Sequence, residues 1–293
     1  MGSVGVGPGN SLSQSPEEQV IGARGEHHGT GRGLGVSISL VIPALNEAAN
    51  LPHVLTRIPA MVDEVLLVDG HSVDDTVSVA QAILPGIRIL LQPGAGKGTA
   101  LACGCAAATG DIIVMLDADG STDPAEIPRF VSALLDGSDF VKGSRYVAGG
   151  SSSDITRLRA GGNRLLNVAV NVLFRTRYTD LCYGYNAFWR SCLPHLRLTV
   201  SGFEVETLMH IRVARAGLRV TEVPSVESAR MFGESKLNAA RDGLRVLSVI
   251  VRERLRPRPR HLDRYESWQP RFRELASPVG RETAEPAGEP QRS

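Results

Sequence analysis

The chain has 293 residues, 42% of them hydrophobic, enough for one large α/β domain or one domain with a small subdomain. A formal net charge of +1 supplies no global basic field, and no nucleic-acid-reading motif accompanies it. No stretch is long and apolar enough to predict a membrane span, and the four cysteines (Cys103, Cys105, Cys182, Cys192) lack zinc-knuckle spacing and read as small buried thiols.

Residues 1–35 are rich in Gly, Ser and Pro, lack a signal-peptide pattern, and are expected to form a disordered leader. Residues 36–255 hold all the regular periodicity, and the Pro-, Arg- and Glu-rich stretch 256–293 reads as a flexible tail. Strands are predicted at 36–42, 64–68, 87–91, 112–116, 139–142 and 219–223. Helices are predicted at 47–57, 74–84, 97–109, 124–135, 158–174, 204–216 and 237–254. Near-continuous apolar strands alternating with helical patterns predict a doubly wound, mainly parallel sheet with helices on both faces. Ligands of such sheets bind beyond the carboxyl ends of the strands.

Four predicted strands end in polar groups on that edge: Pro43-Ala44-Leu45-Asn46-Glu47, Asp69-Gly70-His71-Ser72, Asp117-Ala118-Asp119-Gly120 and Gly143-Ser144-Arg145. In extended backbone, residues two apart point to the same side, so Asp117 and Asp119 form a hard-oxygen pair suited to Mg²⁺ or Mn²⁺. Asp69 fits either an Asx-turn or cap, or a contact to a nucleobase or ribose; Asn46 and Glu47 fit either helix capping or the same pocket. Gly94-Ala95-Gly96-Lys97-Gly98-Thr99 fails the phosphate-loop pattern, since Leu91 and Gly98 stand where Gly and Ser or Thr belong. It still opens a helix, so Lys97 is placed for a diphosphate. A dinucleotide-binding Gly pattern after the first strand is absent.

In chain order, SLVIPALNEAANL, VLLVDGHSVDDT, GKGTAL, ATGDIIVMLDADGSTDP, FVKGSRY, DLCYGYNAFWR, GFEVE, and Arg230 with Gly233-Glu234-Ser235-Lys236 resemble the family-2 glycosyltransferases. The likeness is nearest to the dolichol-phosphate (polyprenyl-phosphate) mannosyltransferase branch, and it implies a GT-A fold over about residues 37–250. It also implies site roles. Pro43, Asn46 and Glu47 resemble parts of the nucleotide pocket, Asp69 a base contact, Asp117 a group near ribose and metal, and Asp119 the principal metal ligand. Arg145, Arg230 and Lys236 resemble cations around donor or acceptor phosphates, Asp180 an acid near the acceptor, and Glu204 and Glu206 an acidic segment closing the site. Ser121 departs from the branch, which often has Gln there, and is expected to help the metal through water.

The reaction implied is a metal-dependent, inverting displacement at the anomeric carbon of a nucleotide-diphosphate sugar of GDP-mannose or UDP-glucose type. Its acceptor is expected to be a polyprenyl phosphate, the alternative being a soluble hydroxyl acceptor such as a metabolite, natural product or cell-envelope precursor. A hydroxyl acceptor requires a general base, for which Asp180, Glu204 and Glu206 are candidates. A non-catalytic nucleotide-sugar-binding protein is the reading of another class, whereas a sugar nucleotidyltransferase lacks its Gly-rich loop. The expected location is cytoplasmic, with peripheral contact at the inner membrane face left open by the Arg-rich stretch 252–264. The apolar content of 158–174 favours a core-packed helix over a membrane-facing one.

Overall fold

A computed structural model describes residues 35–234 and 238–257. The expected leader (apart from Gly35), nearly all of the expected tail, and Lys236 lie outside the described residues. The elements run β1 (Ile38–Ala44), α1 (Leu51–Leu55), β2 (Glu64–Asp69), α2 (Thr76–Ile83), β3 (Arg88–Leu91), α3 (Lys97–Ala107), β4 (Ile112–Met115), α4 (Ile127–Leu135), β5 (Phe140–Ser144) and β6 (Ser151–Ser152). They continue with α5 (Arg157–Phe174), β7 (Asn186–Trp189), α6 (Leu193–Leu196), α7 (Val205–Arg215), β8 (Val220–Pro224), β9 (Val226–Glu227) and α8 (Ala239–Leu255).

Seven strands form one sheet in the order β3-β2-β1-β4-β7-β5-β8. Every neighbouring pair is parallel except those of β7, which runs antiparallel between β4 and β5. β1, β2, β4 and β5 are almost wholly buried, as their unbroken apolar runs predict. The fold is therefore the expected mainly parallel GT-A type, with helices around the sheet.

β7 was not expected as a strand. Asn-Ala-Phe-Trp is too short for a periodic signal, yet its burial is complete, and the Trp189 indole donates to Ser138 O at 3.0 Å. The first predicted helix also shrinks. Asn46 adopts a left-handed φ of 57°, and the amides of Glu47 and Ala48 donate to Thr76 Oγ1 and Asp74 Oδ2 instead of starting a helix. Side chains of the next βα connection thus replace the helical ladder, and α1 begins only at Leu51.

α5 packs on an apolar cluster through Val170, Leu166 and Phe174, as expected, but much of its apolar content does not turn inward. Its buried side contains Asn163, Asn167 and Val170, while Leu165, Val168, Val172 and Leu173 face outward, Leu165 being 72% exposed. The cause is a column of asparagines one turn apart. Asn167 and Asn171 donate to Tyr178 O at 2.6 and 2.8 Å, and Asn163 donates to Asp180 Oδ1 at 3.0 Å. These amides satisfy the irregular 178–180 segment, which would otherwise carry unpaired buried backbone groups.

Candidate active site

Beyond β4 the chain turns at Asp117-Ala118-Asp119-Gly120, with Gly120 at φ 75°, a conformation that disfavours any side chain. Asp119 Oδ1 accepts from the amide and hydroxyl of Ser121 at 3.0 and 2.6 Å. Ser121 therefore orients the carboxylate directly. Asp119 Oδ2 lies 3.2 Å from Arg230, whose guanidinium also reaches both carboxylate oxygens of Glu47 at 3.0 and 3.1 Å.

Asp117 sits in a parallel arrangement. Lys97 Nζ is 2.6 Å from Asp117 Oδ1 and 2.7 Å from Glu206 Oε1. Burial disfavours the Lys97 charge, but Asp117 and Glu206 outweigh it and hold its pKa above the usual lysine value. Burial raises the Glu206 pKa above the ordinary carboxylate range, Lys97 opposing and Asp117 reinforcing that rise. Two carboxylate–cation–carboxylate chains thus meet at the strand edge: Glu47–Arg230–Asp119 and Asp117–Lys97–Glu206. The structure brings together six residues singled out in the sequence, Glu47 joining Asp119 through Arg230.

The glycines before Lys97 serve the protein's own packing. A Cβ on Gly96 or Gly98 would lie 2.2 Å from the carbonyl oxygens of Ser201 or Val200, and the Gly98 amide donates to Ser201 O at 2.9 Å. The start of α3 is therefore partly occupied by the 200–202 segment, and Lys97 reaches the site through its side chain. Gly184, in the CYGYNAF segment, was missed. A Cβ there would stand 2.8 Å from Lys97 Nζ and 2.9 Å from Asp117 Oδ2, so the absence of a side chain is what lets that pair form.

Asp69 closes β2 by accepting from the amides of His71 (3.1 Å) and Ser72 (3.2 Å), an Asx-type turn. Asn46 joins the same turn: its amide donates to Ser72 Oγ at 2.9 Å and its Oδ1 accepts from Val73 at 2.8 Å. Pro43 lies in β1 beyond the last residue paired with β4, where its missing N–H leaves no gap in that ladder. These three residues lie at the carboxyl ends of β1 and β2.

Arg145 and Asp180 depart from their expected roles. Asp180 is 0% exposed and its carboxylate is engaged by Arg145 Nε (2.7 Å), Arg145 Nη2 (2.8 Å) and Asn163. The Arg145 side chain is 4% exposed, also meets Glu227 at 3.0 Å, and lies over the Tyr183 ring at 4.9 Å. Burial works against the Asp180 charge, but the bidentate Arg145 bond holds its pKa below the ordinary value. A saturated, enclosed carboxylate cannot collect a proton from an acceptor, and a saturated guanidinium cannot bind a phosphate. Beside them Lys142 is fully buried, with Nζ 2.7 Å from Glu222 and donating also to Asp180 O. A lysine inside the apolar run Phe-Val-Lys was the sequence signal for this cluster.

Glu204 occupies the N-cap position of α7 without a side-chain capping bond and is buried; its Oε1 accepts weakly from Gly202 N at 3.4 Å, and its Oε2 has no hydrogen-bond partner among the described residues. No group of three or more His, Cys, Asp or Glu side chains suited to a metal occurs among the described residues. The donor set at the edge is Asp117 and Asp119, two hard oxygen ligands. Mg²⁺ and Mn²⁺ accept such a pair when substrate phosphates complete the sphere.

A mainly parallel sheet with acidic, amide and basic groups gathered beyond β1, β2 and β4 matches what the GT-A glycosyltransferase resemblance implies. A model of glycosyl transferase family 2 matches residues 39–196, and the chain belongs to that family. It is 34% identical over 212 residues to an uncharacterised glycosyltransferase of Mycobacterium tuberculosis, spanning 71% of this chain and 93% of that protein. It is 31% identical over 217 residues to Glycosyltransferase AglJ of Haloferax volcanii, spanning 71% of this chain and 68% of AglJ. Among solved structures, it is similar to glucosyl-3-phosphoglycerate synthase from Mycobacterium tuberculosis in complex with Mn²⁺, UDP-glucose and phosphoglyceric acid. That likeness has a TM-score of 0.61 and 25% identity, and covers 83% of this chain and 86% of that one. The chain is thus a glycosyltransferase.

Proposed function

We propose that this enzyme transfers a hexose from a nucleotide-diphosphate sugar to a small hydroxyl-bearing acceptor, using Mg²⁺ or Mn²⁺ held by Asp119 and Asp117. The observation that carries this reading is the pairing of each carboxylate with a cation, Asp117 with Lys97 and Asp119 with Arg230, at the ligand edge of the sheet. The relative solved with Mn²⁺, UDP-glucose and phosphoglyceric acid supports both the donor and the soluble acceptor.

When bound, the metal neutralises charge growing on the leaving diphosphate. Asp69, Asn46 and Pro43 border the nucleoside. Arg230 exchanges its contact with Asp119 for a donor phosphate, which its planar fork engages bidentately while Glu47 keeps it oriented. Lys97 offsets the negative charge of Asp117 and Glu206. With Asp180 sealed, Glu204 and Glu206 remain the candidates for proton removal from an acceptor hydroxyl: Glu206 stands beside Lys97, and Glu204 Oε2 has no hydrogen-bond partner among the described residues. Inversion at the anomeric carbon is checked by NMR of the product anomer.

A second reading, transfer to a polyprenyl phosphate at a membrane surface, is favoured by one observation. α5 and α8 pack together and turn apolar side chains outward. These are Leu165, Val168 and Val172 on α5, and Leu244, Leu247, Val251 and Leu255 on α8, the last 79% exposed. Arg252, Arg254 and Arg256 accompany them, suited to anionic headgroups. No described helix is long and apolar enough to cross a membrane. Incubation with labelled UDP- and GDP-sugars, a panel of small acceptors and polyprenyl phosphate separates the readings. Label confined to the aqueous phase sustains the first, and label in the organic phase sustains the second.

A further inference from the structure

The loop after β9 carries Arg230 across the acidic turn and is fastened on two sides. On one side Ser228 N donates to Ser121 O at 2.8 Å, and the Met231 thioether covers Gly120, where a Cβ would lie 3.1 Å from its sulfur. On the other side the fastening is Asn50. This residue occupies the N-cap position of α1, yet its side chain makes no capping bond there. Instead its Oδ1 accepts from Phe232 N at 3.0 Å, and its Nδ2 donates to Phe232 O at 3.2 Å and to Glu47 Oε2 at 2.6 Å.

Asn50 is 2% exposed, while Phe232, which it holds, is 48% exposed. A buried amide thus grips the backbone of a surface loop at both its N–H and its C=O, as a neighbouring strand would. The Phe232 ring adds a stacked contact to His53 with centroids 5.8 Å apart. The third bond of Asn50 turns Glu47 toward Arg230, two residues before Phe232. Glu47 is itself buried, so its carboxylate needs both partners.

We infer that Asn50 is a positioning residue of the donor site, a latch that fixes the 228–232 loop and Glu47 together and so sets Arg230 against Asp119. An N-cap asparagine is free to stabilise its helix; here all three side-chain bonds go to the loop and to the residue that orients Arg230. A latch of this kind acts on ground-state affinity, because it pre-forms the position from which Arg230 meets a donor phosphate. The inference rests on the donor-site reading given above.

The test compares wild type with Asn50→Ala and Asn50→Asp. Hydrogen–deuterium exchange of peptides covering residues 228–234 reads the latch without any ligand, and titration with UDP and Mn²⁺ reads its consequence. Asn50→Ala removes all three bonds, whereas Asn50→Asp keeps an acceptor for Phe232 N–H but places a carboxylate against Glu47. Both are expected to speed exchange of the loop about tenfold or more, with strands β1 and β4 unchanged, and to weaken UDP–Mn²⁺ binding about tenfold. Donor KM is expected to rise by the same factor, with kcat at saturation altered less than twofold.

Should Asn50→Ala fail to fold, Phe232→Pro deletes the N–H that Asn50 accepts while leaving α1 intact, and must reproduce the faster exchange. Wild-type exchange rates in the loop of folded variants overturn the latch. Faster exchange with no effect on UDP–Mn²⁺ affinity overturns the positioning role. If wild type binds no nucleotide, the donor reading fails, and the positioning role fails with it, while the exchange data still decide whether the latch exists.

Discussion

Two groups of charges lie along the same sheet and differ in one respect, access to solvent. At the ends of β1 and β4, Asp117 pairs with Lys97 and Asp119 with Arg230, and the Asp117 side chain is 30% exposed. At the ends of β5 and β8, Arg145, Asp180, Lys142, Glu222 and Glu227 close on one another, with Asp180 and Lys142 wholly enclosed. Both groups place basic residues against acids at hydrogen-bonding distance. Only the first can exchange its protein partners for a ligand's phosphates and metal; in the second, no ligand reaches the charges and each ion is committed to its neighbour. The access of Asp117 and Asp119 therefore separates the carboxylates proposed to meet a ligand from charges that hold a segment in place.

If the enclosed cluster is purely cohesive, Asp180→Ala strands Arg145 in a dry site and costs about 3–5 kcal/mol of stability, read by denaturant unfolding. Its lowered pKa gives the sign of the acid response. The native carboxylate binds its proton more weakly than the unfolded one, so the pair's contribution is present above about pH 4 and is lost as pH falls further. A soluble, stable Asp180→Ala protein that has lost transfer activity alone would break the comparison.

Asp119→Asn is the converse. It keeps the bonds to Ser121 nearly isosteric, leaves stability within about 1 kcal/mol, and lowers transfer roughly 10²–10³-fold, the scale of losing one preorganised electrostatic group. His210 sharpens the enclosed side further. It is fully buried beside Lys142, with its ring nitrogens 3.0 Å from Leu181 O and 2.9 Å from Asn186 Oδ1, and burial holds its pKa well below the ordinary value. The unfolded chain gains that proton below about pH 6.5 and the native chain does not, so stability falls by up to about 1.4 kcal/mol per pH unit below that point. His210→Gln is expected to flatten that slope between about pH 6.5 and 5 in thermal unfolding.

Gly184→Ala pushes a methyl group toward Lys97 and Asp117 on the open side. It is expected to weaken UDP–Mn²⁺ binding about threefold to tenfold with the fold retained, measured by calorimetry. The smallest effect belongs to a solvated pair. Arg57 lies 2.5 Å from Asp123 with both side chains substantially exposed, and Arg57→Ala is expected to change stability by less than about 0.5 kcal/mol.

The open side was legible from the sequence because strand-end position and residue spacing decide it. An apolar run ending in Asp-Ala-Asp must deliver two carboxylates to one edge, and the same reasoning placed Asn46 and Asp69. Partners were not legible. Nothing in the spacing ties Glu47 to Arg230 across 183 positions, or shows that Gly184 is bare to admit Lys97. The enclosed side misled for a related reason, since Arg145 follows a strand end like the others, Asp180 was placed by resemblance, and only tertiary packing seals the pair. Most of the sheet followed from buried apolar runs, but β7 is four residues long and gains its strand character from β4 and β5. α5 was read only in part, because its buried side joins Val170 to an amide column, which hydrophobic periodicity cannot detect.

The measurement that bears most directly on the open site is calorimetric titration of UDP-glucose and GDP-mannose, each with and without Mn²⁺, into wild type and Asp119→Asn. Binding of one nucleotide sugar to wild type that requires Mn²⁺, and its loss in Asp119→Asn with unfolding behaviour unchanged, is the predicted result. Equal binding with and without the metal, or undiminished binding by Asp119→Asn, would contradict the assignment of Asp117 and Asp119 as the metal-holding pair.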